Sequence, residues 1–231
     1  MKNSIAKSLV ELNGQIAEAC DEYDRNADDI TVVAVTKTFP AAYIQTAVAN
    51  GIHNIGESRI QDAEPKITEL GQIARYHMIG HLQTNKVKKA IELFDVIQSV
   101  DSDKLAAEIS KQAGAVDRTI DCLLEVNSSG EEQKYGLSIE EVIPFINNID
   151  NYPNINLVGL MTIGPNTDDE DAIREAFKKC YDLYKEGQEI IGGEFDTLSM
   201  GMSNDFPLAI AEGSTMIRIG SLLFGERTYD E

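Results

Sequence analysis

Short apolar runs recur along the chain, separated by longer stretches in which apolar residues return every three or four positions. The runs predict strands at 31–36 (TVVAVT), 52–55 (IHNI), 75–79 (RYHMI), 95–99 (DVIQS), 120–126 (IDCLLEV), 156–162 (NLVGLMT), 196–200 (DTLSM) and 216–219 (MIRI). The periodic stretches predict helices at 41–50, 57–70, 84–93, 102–114, 138–149, 168–190 and 204–212, after an amphipathic first helix within the opening 25 residues. Boundary signals agree: "DSDKLAAEI" opens with cap-competent Asp101 to Asp103, and "AEGS" closes a helix at Gly213. Strand and helix alternate about eight times with no linker, repeat or composition break. The pattern predicts an α/β fold: one domain over 1–231, a (β/α)8 barrel with an extra N-terminal helix, with a doubly wound open sheet as the structural alternative.

In "TVVAVTKTFP" an ammonium group ends the first predicted strand. Alternation puts Lys37 on the same face as Val33 and Val35, and in a barrel the C-terminal strand ends carry the ligand groups. A strand-end lysine that snorkels to water is one reading. The other is a partly desolvated amine that attacks a carbonyl, of an aldehyde cofactor or of a sugar phosphate.

The segment 198–227 spans the last two βα units. Gly201, Met202, Ser203 and Asn204 lead from strand to helix, and Gly220 with Ser221 repeats that arrangement after the eighth strand. Such turns offer backbone N–H groups and hydroxyls to an anion, or merely cap helices. Arg218 interrupts the apolar "MIRIG" and needs a partner: a carboxylate, or the ring nitrogen of a ligand. Lysine, phosphate cradle and arginine across one barrel mouth describe a pyridoxal phosphate site.

A formal net charge of −19 disfavours nucleic acid and anionic membrane surfaces as partners. The one basic cluster, Lys86, Lys88 and Lys89, reads as a solvated helix face. Cys20, Cys122 and Cys180 are dispersed and odd in number, which points to a reducing cytosol rather than disulfides or zinc. The N-terminal stretch is amphipathic with interspersed charges and has no apolar h-region, so it reads as neither a signal peptide nor a membrane span. His77 and His81 are spaced HxxxH without a third ligand, and Asp168 to Asp171 read as helix-capping acids rather than a calcium loop.

The segments "VAVTKTFP", "NIGESRIQDAEPKI", "YHMIGHLQTNKVKKAI", "DVIQSVDS", "EVNSSGEEQKYGL", "GLMTIGP" and "LSMGMSNDFPLAIAEGSTMIRIGSLLFGER" cover much of the chain. Together they closely resemble the pyridoxal phosphate homeostasis (PLP-binding) protein family, whose fold is like the barrel domain of alanine racemase. The resemblance implies a non-catalytic protein that holds pyridoxal phosphate as an internal aldimine on Lys37 and delivers it, with PLP-dependent apo-enzymes as protein partners. It places Met202, Ser203, Gly220 and Ser221 at the phosphate and Arg218 near the pyridine nitrogen. Met78, Ile79 and His81 would line the pocket or its rim. The family's Gly-Glu-Asn-aromatic block reads Gly56, Glu57, Ser58 and Arg59 here, so Ser58 stands as a shorter donor that needs a water to reach the same oxygen.

A racemase of this fold would need a second domain and a second base. The barrel pattern is complete by Arg227, and only Tyr229 in "TYDE" remains as a candidate. An aldolase-type lysine enzyme would need a proton-transfer group such as Glu57 or Glu125, both of which fit equally well as wall partners for Lys or Arg.

Overall fold

Parallel strands buried on both faces require nearly continuous apolar sequence, and the eight runs supply it. The computed structural model describes residues 2–131 and 133–225. β1 (Thr31–Val35), β2 (Asn54–Glu57), β3 (Arg75–Met78), β4 (Val96–Val100), β5 (Ile120–Val126), β6 (Ile155–Thr162), β7 (Thr197–Met202) and β8 (Met216–Ile219) pair in sequence order. The barrel closes where β1 meets β8 in parallel, Thr31 opposite Met216 and Ala34 opposite Ile219. Tyr229 and Arg227 lie outside the described residues.

The helices form the outer ring: α1 (Lys2–Glu22), α2 (Ala41–Ala49), α3 (Ile60–Leu70), α4 (Val87–Leu93), α5 (Asp103–Gly114), α6 (Ile139–Asn147), α7 (Glu170–Ile191), α8 (Phe206–Ala211) and the short α9 (Ser221–Phe224). Their inward stripes follow the helical period. In α7, Ile173, Phe177, Cys180 and Tyr184 are buried. Leu12, Ile16, Ala19 and Cys20 of α1 pack by the same rule, and α1 lies against α8 and α9 beside the closure seam. Phe94, Phe177 and Phe195 are wholly buried, and each contributes about 1.5–3 kcal/mol of transfer free energy.

Inside the barrel, polarity is layered. At the N-terminal end Arg75 pairs with Asp121, which also accepts a 2.8 Å hydrogen bond from Asn156 Nδ2. Val96, Leu123 and Met161 form an apolar plug. A second polar layer, described below, underlies the open C-terminal mouth.

All eight strand expectations and the barrel are met, with local differences. β2 runs two residues later than its apolar run, because Gly56 belongs to the strand: a Cβ there would meet Val33 Cγ1 at 3.0 Å and Ile79 Cδ1 at 3.1 Å. Glu57 is buried beside it, so α3 starts only at Ile60. Thr84–Lys86 is a 3-10 turn ahead of α4, and α9 is too short to leave a periodic signature. Ser102, between the two expected aspartates, caps α5 by accepting from the Leu105 N–H. Asp169 caps α7, accepting from the N–H groups of Asp171 and Ala172. Lys86 and Lys88 are exposed, while Lys89 pairs with Glu64 and Glu92. The three cysteines are buried and unpaired. Among the described residues no helix is long and apolar enough to cross a membrane, and no side-chain cluster has the makings of a metal site.

Candidate functional site

A cavity of about 690 Å³ opens at the C-terminal ends of the strands. Lys37, Ser58 and Ile79 line it from the first three βα units, and Met202, Ser203, Arg218, Gly220 and Ser221 from the last two. Eight of the ten residues expected at the pocket or its rim therefore line one cavity. Met78 does not: it is buried in the shell between barrel and helices. Adjacent strand residues face opposite sides, so Ile79 facing the cavity turns Met78 away. His81 also stands off the wall, bonded through Nδ1 to Asp101 and stacked on Tyr135 with ring centroids 3.9 Å apart.

Lys37 is half-buried in a turn closed by the Phe39 N–H on the Thr36 carbonyl at 3.0 Å. The next residue, Thr38, sits at φ 72°. Left-handed backbone at a β-branched residue is strained by about 1–3 kcal/mol and persists only where neighbours enforce it. Ser58 is held by close approach of two loops, since a Cβ on Gly80 would lie 2.3 Å from the Ser58 carbonyl oxygen.

Across the mouth, β7 ends in a tight turn. Gly201 adopts φ +94°, and a Cβ there would come within 2.6 Å of Ala209 Cβ. The Met202 N–H donates to Asp205 Oδ1 at 2.6 Å, which folds Ser203 and Asn204 over the cavity. The Gly220 N–H points at Ser203 Oγ at 3.4 Å, bringing the β7 and β8 turns together.

Arg218 forms the floor. It is buried, and the expected carboxylate partner is replaced by neutral acceptors: Nη1 donates to Ser199 O at 2.8 Å and Oγ at 2.7 Å, and Nη2 to Thr162 O at 2.8 Å. Burial pulls its pKa down to about 10, against the attraction of Asp205 and Glu125, so the guanidinium stays charged at neutral pH. The bonds continue downward. Ser199 Oγ donates to Gln98 Oε1 at 2.8 Å, Gln98 Nε2 meets His77 Nδ1 at 2.9 Å, and His77 Nε2 meets Asn54 Oδ1 at 3.0 Å. Burial, then Arg75, drives His77 down to about 3, so the ring is neutral. With Gln98 donating to Nδ1, the proton belongs on Nε2.

Glu125 lies in the same layer, its Oε2 buried with no partner among the described residues. Burial, then Asp101, lifts its carboxyl to about 7 against the pull of Arg218. The unfolded chain ionises near the ordinary 4.5, so the folded state holds an extra proton between those values, and stability falls as pH rises through that window. Glu125→Gln removes this loss. The variant should match the parent at pH 4 and exceed it by about 3 kcal/mol at pH 8 in urea unfolding.

Several cavity residues were not anticipated. Lys134, on the loop after β5, donates to the Gly164 carbonyl at 2.8 Å and pairs with Glu131 at 2.6 Å. Asn166, Thr167, Asp168 and Glu170 form the wall between β6 and α7. The two acids had only a capping role in the sequence, and "GLMTIGP" was the one signal near that wall.

The model of the family "Alanine racemase, N-terminal domain" matches residues 14–228. A pyridoxal phosphate homeostasis protein of Haemophilus influenzae is 36% identical over 230 residues, 98% of this chain and 97% of that one. A protein of the same name from Aquifex aeolicus is 38% identical over 216 residues, 93% and 95% of the two chains. PipY of Synechococcus elongatus, solved with PLP bound, aligns with a TM-score of 0.83 at 33% identity, over 96% of this chain and 100% of that one. Alanine racemase of Clostridium difficile, at 14% identity and a TM-score of 0.79, shares the fold over 99% of this chain and 61% of its own. The chain belongs to the pyridoxal phosphate homeostasis protein family, on the barrel of the alanine racemase N-terminal domain.

Proposed function

We propose that this chain binds pyridoxal 5′-phosphate through Lys37 and holds it for delivery to PLP-dependent apo-enzymes rather than catalysing a reaction with it. One observation carries the reading: the half-buried Lys37 and the buried Arg218 share a cavity with the paired turns after β7 and β8. The group supplies an aldehyde carbon, an anionic phosphate and a pyridine ring. The donor set fits each part. The Lys37 amine is the nucleophile, and Met202, Ser203, Gly220 and Ser221 are the anion cradle, with hydroxyls and turn N–H groups at adjacent strand ends. Arg218, fixed by three hydrogen bonds, presents a permanent donor at the floor and supplies no proton to a ring nitrogen. Ile79 and Val35 give the cavity an apolar side.

The carrier reading rests on the names of the relatives. Glu57 and Glu125, the two acids weighed for an aldolase, do not line the cavity; the carboxylates that do are Asp168, Glu170 and Asp205. The test is an absorbance spectrum after loading and desalting, followed by borohydride reduction and peptide mapping. A retained yellow band with the label on Lys37, lost in Lys37→Ala, supports the reading. A colourless protein, or label scattered over surface lysines, overturns it. A racemisation assay on the loaded protein tests the carrier role, and turnover comparable to a racemase would refute it.

Ser58 bears on affinity. Restoring the longer amide with Ser58→Asn should add one direct hydrogen bond and tighten pyridoxal phosphate binding by about two- to tenfold in a fluorescence titration.

A further inference from the structure

Glu57, like Glu125, is a buried carboxylate that this reading leaves without a task. Alternation along β1 and β2 puts Thr36 and Glu57 on the outer face, each one residue away from a cavity residue, Lys37 and Ser58. Both are wholly buried. Thr36 Oγ1 donates to Glu57 Oε1 at 2.6 Å, and Lys66 Nζ, arriving from α3, donates to the same oxygen and to the Thr36 carbonyl, each at 2.8 Å. The Thr36 N–H donates to the Gly56 carbonyl at 3.0 Å, so every polar atom of Thr36 is engaged. The Glu57 carbonyl in turn accepts from the N–H of Ile79, another cavity residue, at 2.9 Å.

We infer that Glu57 and Lys66 are positioning residues for Lys37: a largely buried ion pair behind the barrel wall that clamps the backbone from which the amine projects. The strained neighbour points the same way. Thr38 at φ 72° demands an over-determined setting, and the clamp fixes the residue two positions before it. Desolvating a carboxylate and an ammonium is a poor way to stabilise a fold, since an apolar pair of similar volume often does as well. What the pair adds is direction: Thr36, bonded through Oγ1 to Glu57 and through its carbonyl to Lys66, ties β1, β2 and α3 at the point where the lysine leaves the strand.

The inference rests on the proposed role of Lys37, yet one of its tests is independent of the cofactor. In unloaded protein, competitive acetylation with acetic anhydride across pH, read by mass spectrometry, reports the reactivity and titration of Lys37 itself. Loading experiments then give the rate at which the absorbance band forms. Glu57→Gln and Lys66→Met are compared with the double variant, in which charge balance is restored while the Thr36 carbonyl still lacks its Nζ donor. The double variant should recover most of the thermal stability lost by Lys66→Met. It should still show a displaced Lys37 labelling profile and a band that forms about tenfold more slowly, because a misaimed nucleophile loses rate steeply. A double variant with the parent labelling profile and parent rate overturns the inference and leaves the pair a purely structural one. A displaced labelling profile in a chain whose parent never turns yellow upholds the clamp and refutes the cofactor reading.

Discussion

Gly159→Ala should unfold the barrel at its β6–β7 seam, lowering stability by more than about 4 kcal/mol. A Cβ on Gly159 would lie 1.7 Å from the Thr197 carbonyl oxygen and 2.6 Å from its carbon. Neither is the end of a flexible side chain, so β7 itself must retreat. Gly159 opposes Thr197, Leu160 opposes Leu198 and Met161 opposes Ser199, and that register carries the acceptors of Arg218 and the turn after β7. The melting temperature should fall by at least about 8–16 °C for a domain of this size, read by circular dichroism. Gly14→Ala is the control. It sits exposed inside α1 with nothing within 4 Å of the added Cβ, and the gain in helix propensity should stabilise the chain by about 0.5–1 kcal/mol. Equal effects of the two substitutions would mean that the close approach at Gly159 is relieved at no cost.

Such steric facts are invisible in a sequence, whereas the barrel was legible because parallel strands and amphipathic helices each impose a period. β2 slipped by two residues because its last positions are occupied for barrel reasons. Gly56 yields space to Val33 and Ile79, and Glu57 answers Lys66 from another element. At the site, Lys37 and the turns at 201–204 and 220–221 were legible because strand ends and glycine-bearing turns mark the mouth of such a fold. Met78 was misplaced by reading a block of residues as a unit, although neighbours on a strand cannot both face the cavity. Lys134 and Asp168 reach the cavity on loops, which carry no periodicity, so their placement follows from the three-dimensional path alone. The partner of Arg218 was out of reach for a different reason. A chain with 39 acidic residues offers carboxylates everywhere, while the barrel register delivers Ser199 and Thr162 instead.

That choice of partners separates stability from function at Arg218. Arg218→Met should weaken pyridoxal phosphate binding by about 10- to 100-fold, the worth of a hydrogen bond from a charged donor, and should do so without a matching loss of stability. A buried guanidinium with only neutral acceptors bears its full desolvation, and burial is the foremost cause of its depressed pKa. Methionine removes that burden while filling similar length, and Ser199 Oγ keeps its bond to Gln98. The carbonyls of Ser199 and Thr162 lose a donor, which offsets part of the gain by about 1–3 kcal/mol each. The net change in melting temperature should therefore be small beside the change in affinity, and a titration alongside a thermal melt reads both. If melting collapses and the residual folded protein binds normally, Arg218 is a structural cation. If affinity falls while the melt holds, the chain keeps a costly charge in its barrel for the sake of its ligand, the trade expected where a functional site overrides stability.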